Sequence, residues 1–87
     1  MFYVYILLQN DKHLYTGFTD NLKRRYMQHS DGLNLSTKYK RPLTLIHYEA
    51  YLLKTDAMRR EKFLKTTEGK RFLRQQIRDI LKQEKVI

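Results

Sequence analysis

The chain has no cysteine and no tryptophan, and only one proline and three glycines in 87 residues. Without cysteine there can be no disulfide and no thiolate zinc site. With so little Pro and Gly, and no low-complexity tract or internal repeat, the composition is not that of a disordered chain. No apolar run is long enough to span a membrane. The longest, Phe2 to Leu8, also lacks the basic flank and small-residue cleavage site of a secretory signal. Cytoplasm is the default compartment, and the length predicts one domain, residues 1–87, with a single modest core.

Acidic residues are scarce as well. Nine Asp and Glu stand against eighteen Lys and Arg, a net charge of +9. The excess lies in four stretches: Lys23 to Arg25, Lys38 to Arg41, Lys54 to Lys65 and Lys70 to Lys85. That is the electrostatic footprint of a polyanion binder, with nucleic acid ahead of a membrane surface or simple solubility.

Residues 2–8 (FYVYILL) are apolar or aromatic on both parities, as in a strand buried on both faces and central in its sheet. "QNDK" breaks the run, and 14–19 (LYTGFT) forms a second strand, predicting a hairpin. Asp20 or Asn21 caps a helix that ends at Asp31-Gly32. Residues 43–51 (LTLIHYEAY) read as a third strand. A second helix, capped by Thr55 or Asp56, runs to about Lys65. A third, capped by Thr67, carries the stripe Leu73, Ile77, Ile80 and Leu81. The order β-β-α-β-α-α makes an α+β fold, a three-stranded sheet flanked by helices.

Two helices aim polar groups inward. In the first, Leu22, Arg25, Tyr26 and His29 share a stripe, so burying Leu22 and Tyr26 draws Arg25 and His29 with them. In the second, Ala57, Met58, Glu61 and Leu64 share a face, placing a carboxylate among apolar neighbours. A buried carboxylate must be paired, protonated or metal-bound. Glu61 therefore either pairs with Lys65 or Arg25, or takes part in chemistry. With Tyr5 and Tyr15 on the adjacent strands, the set suits work on a phosphodiester. Such work needs a cation for the charge developing on phosphate, a metal, a base for water and a proton for the leaving oxygen. Elsewhere the loop "STKYKRP" sets Tyr39 among Lys38, Lys40 and Arg41, which suits backbone contact plus base stacking. Arg24, Arg59 and Arg60 are further candidate nucleic-acid contacts. His13 and His47 have no evident partner, and three separated histidines do not make a zinc site.

Together "YVY" at 3–5, "YTG" at 15–17, Arg25 ten residues after Tyr15, His29 four later and the helical Glu61 resemble the GIY-YIG nuclease superfamily. The likeness is nearest to small single-domain members, similar to the nuclease domain of the bacterial excision-repair incision subunit. It implies a metal-dependent endonuclease or DNA-processing enzyme, with Tyr15 as base on water and Tyr5 orienting water or phosphate. Arg25 would hold the scissile phosphate, and Glu61 one divalent cation, Mg²⁺ or Mn²⁺. His29 would assist proton transfer or bind phosphate, and Gly17 would let substrate approach closely. The implied partner is nucleic acid, DNA ahead of RNA. Two positions depart from the pattern: Phe18 stands where the excision-repair subunit carries a lysine, and the last helix has no asparagine. The alternative is a non-catalytic nucleic-acid-binding or accessory module on the same fold.

A shared site makes one geometric demand. Tyr5 and Tyr15 lie on one face of the hairpin only if paired positions sum to an even number, such as 5 with 15. This predicts a three- or five-residue connection, or a bulge near Gly17. A demand on binding follows from charge. Affinity for duplex DNA should fall steeply with salt, with a logarithmic slope of about −0.9 per phosphate contact. A salt series of binding isotherms checks this, and a flat profile would refute the polyanion reading.

Overall fold

In the computed structural model, which describes residues 1–87, the apolar run Phe2–Leu8 becomes the central strand of a three-stranded antiparallel sheet. This strand, β1, lies between β2 (Leu14–Thr19) and β3 (Thr44–Tyr51), in the order β2-β1-β3. Val4 through Leu8 are each no more than 4% exposed, because helices cover both faces of the sheet. The fold is α+β, as its sequence pattern predicts.

The hairpin turns through residues 9–13, a five-residue connection, with Gln9 N–H donating to the His13 carbonyl at 2.9 Å and Lys12 at φ 69°. Its register pairs Tyr5 with Gly17 and Leu7 with Tyr15, an even sum at every step. Tyr5 and Tyr15 therefore share a face, with no bulge at Gly17. The sheet's one irregularity is between Ile6 and Leu7 against β3.

The two faces have separate cores. Val4 and Ile6 pack with Ala57 and Leu64 of α2 (Lys54–Leu64), Leu73 of α3 (Thr67–Gln76), Ile77, and Leu81 of α4 (Arg78–Gln83). On the opposite face Tyr5, Leu7 and Leu43 meet Tyr15, Leu45, and Leu22 and Tyr26 of α1 (Leu22–Ser30). Asn21 caps α1, its side-chain oxygen accepting from Arg24 N–H at 3.0 Å. Gly32, at φ +76°, follows the helix.

Three local expectations change. The second helix starts earlier than expected: Leu53 is its N-cap with no side-chain bond, and neither Thr55 nor Asp56 caps it. Asp56 sits in the first turn, where a carboxylate favours the helix dipole, and pairs with Arg59 at 2.8 Å. Met58 is 49% exposed and leaves the apolar stripe to Ala57, Glu61 and Leu64. The expected third helix is capped by Thr66 rather than Thr67 and breaks at Ile77 (φ −107°, ψ 30°) into α3 and α4. The bend brings Leu73, Ile77 and Leu81 into one core.

Between β3 and α2, Glu49 accepts from His47 (2.9 Å), Tyr51 (2.6 Å) and Arg60 (2.9 and 3.2 Å). The His47 bond foremost, with Arg60 and Tyr51, holds the Glu49 carboxyl down to about 2 despite its burial. The polar alternation at 47, 49 and 51 thus ties the sheet to its covering helix.

Gly69 lets α3 approach the end of α2. A Cβ there would run into the Phe63 carbonyl and come within 2.9 Å of Leu64 Cα, both rigid backbone. Gly69→Ala should therefore cost about 1–3 kcal/mol, as overpacking does. Urea unfolding should show a lower midpoint at unchanged slope.

Candidate active site

Tyr5 is 2% exposed on the central strand, and its hydroxyl lies 2.8 Å from His29 Nε2. The other nitrogen, His29 Nδ1, lies 2.7 Å from Thr37 Oγ1. His29 and Thr37 are fully buried, so a Tyr5–His29–Thr37 chain runs from the strand through α1 to the loop after it. Burial, and then the nearby Arg25 charge, lowers the His29 pKa and keeps the ring neutral. A neutral imidazole donates from one nitrogen and accepts at the other. The chain is satisfied either with Tyr5 donating to Nε2 and Nδ1–H donating to Thr37, or with both bonds reversed.

Gly17 lets a side chain of the protein itself approach closely. It is buried opposite Tyr5, and a Cβ there would overlap Tyr5 Cζ and the hydroxyl oxygen. The space it leaves is filled by the Tyr5 ring. Tyr15, two residues earlier on the same face, is half-buried, with its ring 6.4 Å from that of Tyr5 and 5.2 Å from that of His29. Burial pushes the Tyr5 hydroxyl well above the ordinary tyrosine range, Tyr15 and Glu61 add to this, and Arg25 opposes it. Arg25 and Glu61 are thus both close enough to act on Tyr5 electrostatically, from α1 and α2 respectively.

The two charged groups differ in their commitments. Arg25 is partly buried and has no acidic partner within 4.0 Å. Glu61 is 23% exposed and pairs with Lys65 one turn on, at 3.3 Å. Lys65 is itself 57% exposed, so the pair is an ordinary helical one worth about 0.3–0.5 kcal/mol, easily exchanged for a stronger cation. No cluster of three or more His, Asp or Glu surrounds Glu61. A single carboxylate fits Mg²⁺ or Mn²⁺ in the usual manner for such ions, which take most of their ligands from water and substrate phosphate. Phe18 points to the other face and stacks on Phe2, with ring centroids 6.3 Å apart, so the position where a lysine stands in the excision-repair subunit faces away from Tyr5.

Most of the remaining candidate cations are engaged within the protein. Arg60 is held by Glu49, Arg59 by Asp56, Lys40 by Asp11 at 2.8 Å and Arg24 by Asp20 at 3.4 Å. Arg41 donates to the Lys38 and Ser30 carbonyls, binding the loop to the end of α1. Lys38 and Tyr39 remain open, with the ammonium 5.5 Å from the Tyr39 ring centre and Tyr39 80% exposed. Thr37 escapes sequence reasoning, because a threonine in a polar loop carries no sign of the buried imidazole it meets. The Glu49 group left a faint sign in its period of two.

A family model described as the GIY-YIG catalytic domain matches residues 1–75. A UPF0213 protein of Staphylococcus haemolyticus is 43% identical over 65 residues, covering 74% of this chain and 79% of that one. Another from Pediococcus acidilactici is 40% identical over 78 residues, covering 84% and 78%. The solution NMR structure of a UPF0213 protein from Bacillus halodurans, 37% identical, superposes with a TM-score of 0.54 over 84% of this chain and 82% of that one.

The neutral His29 makes stability depend on pH. Its folded pKa lies below the ordinary 6.5, so the unfolded chain binds the extra proton first. The stabilisation is complete above about 6.5 and is lost as pH falls through the folded pKa. His29→Gln should flatten that acid-side slope in urea unfolding. Thr37→Val, which leaves Nδ1 buried without a partner, should cost about 1–3 kcal/mol, and Thr37→Ser should recover most of it.

Proposed function

The chain belongs to the GIY-YIG family, a nuclease-type domain, and on that premise we propose that it hydrolyses phosphodiester bonds in nucleic acid, DNA ahead of RNA. The observation that carries this reading is the buried Tyr5–His29 pair on the face covered by α1, with the Arg25 charge of that helix acting on both rings and bound by no carboxylate. A free, partly desolvated arginine offers a planar fork of donors to a phosphate and stabilises the charge that grows on its oxygens. Tyr15, half-exposed on the same face, receives a proton from the attacking water as its oxygen bonds to phosphorus. The bond to the leaving oxygen breaks, and that oxygen takes its proton from solvent water, while Tyr15 later returns its own to solvent. A tyrosine acts as a base near neutrality only in cationic surroundings. The Tyr5–His29–Thr37 chain fixes the floor of the site, holding the rings in place with every side-chain nitrogen and oxygen partnered. Glu61 would hold the divalent cation, which when bound polarises the phosphate and the leaving oxygen.

A second reading, a module that binds nucleic acid without cutting it, is favoured by one observation: Glu61 already has Lys65 as partner and no second carboxylate beside it. A substrate panel (single-stranded, duplex, flap and branched DNA, and RNA), with and without Mg²⁺ or Mn²⁺, separates the two. Hydrolysis should require the metal. It should fall at least 100-fold in Glu61→Gln and in Arg25→Ala, while Glu61→Gln binds substrate as well as the parent or better. Binding without metal-dependent cleavage of any substrate would establish the second reading.

A further inference from the structure

Beyond the reaction site, a pocket of about 290 Å³ opens on the other side of strand β2. Six residues line it: His13 from the hairpin connection, Leu14 and Thr16 from β2, and Lys70, Leu73 and Arg74 from α3. None is acidic. Lys70 and Arg74 stand four residues apart, on one face of the helix, and neither has a carboxylate within 4.0 Å. Like charges at that spacing repel each other, and no acid stands three or four residues from either to offset it. They flank β2, which offers the Thr16 hydroxyl, and the hairpin connection, which offers the His13 imidazole. His13 has a long contact of 3.5 Å to Asp11, whose carboxylate is already taken at 2.8 Å by Lys40. Two cations, a hydroxyl and an imidazole around a small hollow form a donor set that matches a tetrahedral oxyanion.

We propose that this pocket binds a phosphate group of the nucleic-acid strand whose scissile phosphate lies at Arg25. The inference rests on the reading of the chain as a nucleic-acid enzyme or binder, and extends it to a second contact. Its geometry follows from strand parity. Thr16 lies between Tyr15 and Gly17, and pairs with Ile6 on the face covered by α2 and α3. Tyr15 and Gly17 point to the face covered by α1. The pocket and the reaction site therefore lie on opposite faces of the same strand. β2 is also an edge strand, with no neighbour on its outer side. A phosphodiester chain crossing that edge can present one phosphate to Arg25 and a nearby one to Lys70 and Arg74. The pocket would hold the polynucleotide in register without reading its bases. The phosphate has two possible origins: an internal phosphodiester, or a 5′-terminal monoester on a shorter strand.

Two measurements test this, and the first needs no activity. Amide NMR titration with inorganic phosphate should shift the resonances of Thr16, Lys70 and Arg74, and the shifts should vanish in the double variant Lys70→Gln with Arg74→Gln. No phosphate-dependent shift at these amides would overturn the pocket even if the chain proves to be a nuclease. Shifts that persist unchanged in the double variant would overturn it too. The second compares 3′-labelled oligonucleotides, with and without a 5′-phosphate, by fluorescence anisotropy across a salt series. The double variant should bind about 10-fold more weakly, with a salt slope shallower by about 1 to 2. A charge-matched control, Lys62→Gln with Lys82→Gln, should change both much less. If the control loses as much as the pocket variant, the effect is diffuse charge and the proposal fails. A loss confined to the 5′-phosphorylated oligonucleotide assigns the pocket to a terminal phosphate, and an equal loss on both assigns it to an internal one. Phosphate shifts at the pocket without oligonucleotide binding would uphold the anion site and refute the nucleic-acid reading on which its register role depends.

Discussion

A hydroxyl sealed inside a protein must find a partner, and the arrangement around β1 follows from that requirement at Tyr5. The tyrosine stands on the central strand with almost no exposure. Its ring needs room, which the missing side chain of Gly17 provides, and its hydroxyl needs a partner, which His29 provides. His29 then needs a partner for its second nitrogen, and Thr37 closes the series. Four residues from β1, β2, α1 and the following loop are thereby committed to one another. The motif glycine serves its own tyrosine, and the close approach it allows is one within the protein.

The commitments of the charged groups divide the basic surface into two populations. Lys40, Arg41 and Arg60 hold distant parts of the protein together through carboxylates or carbonyls, while Arg24 and Arg59 make exposed local pairs of the same weak kind as Lys65. Thirteen of the eighteen Lys and Arg, Arg25, Lys38, Lys70 and Arg74 among them, have no acidic partner. Most of the cations in the sequence are therefore free to meet a polyanion. Glu49, whose carboxyl is held down to about 2, stays ionised across the physiological range and keeps Arg60 in place throughout it.

Much of this was legible in the chain itself. The double-sided apolar run at 2–8 identifies the central strand, and the Leu22, Arg25, Tyr26, His29 stripe identifies which helix faces reach the sheet. Parity alone was enough to put Tyr5 and Tyr15 on one face, because side chains alternate strictly along a strand. Contacts between distant segments were harder to read. Thr37 meets His29 across eight residues of chain, and Gly17 meets Tyr5 across a hairpin, and neither partner leaves a periodic mark. Helix ends were also misread. α2 starts after Leu53 with no capping side chain, where the exit from β3 and the packing of Ala57 and Leu64 place it, while α3 is capped by Thr66, one residue before the threonine expected.

The open side of β2 has a consequence for the chain among its own copies. An unpaired strand edge is a template on which a second molecule can add its own strand. Here the approach to that edge passes Lys70 and Arg74. Two copies meeting edge to edge would bring these cations against each other, with no carboxylate in the pocket to offset them. The same positive charge that would draw a phosphate to this edge would make it unattractive to its twin.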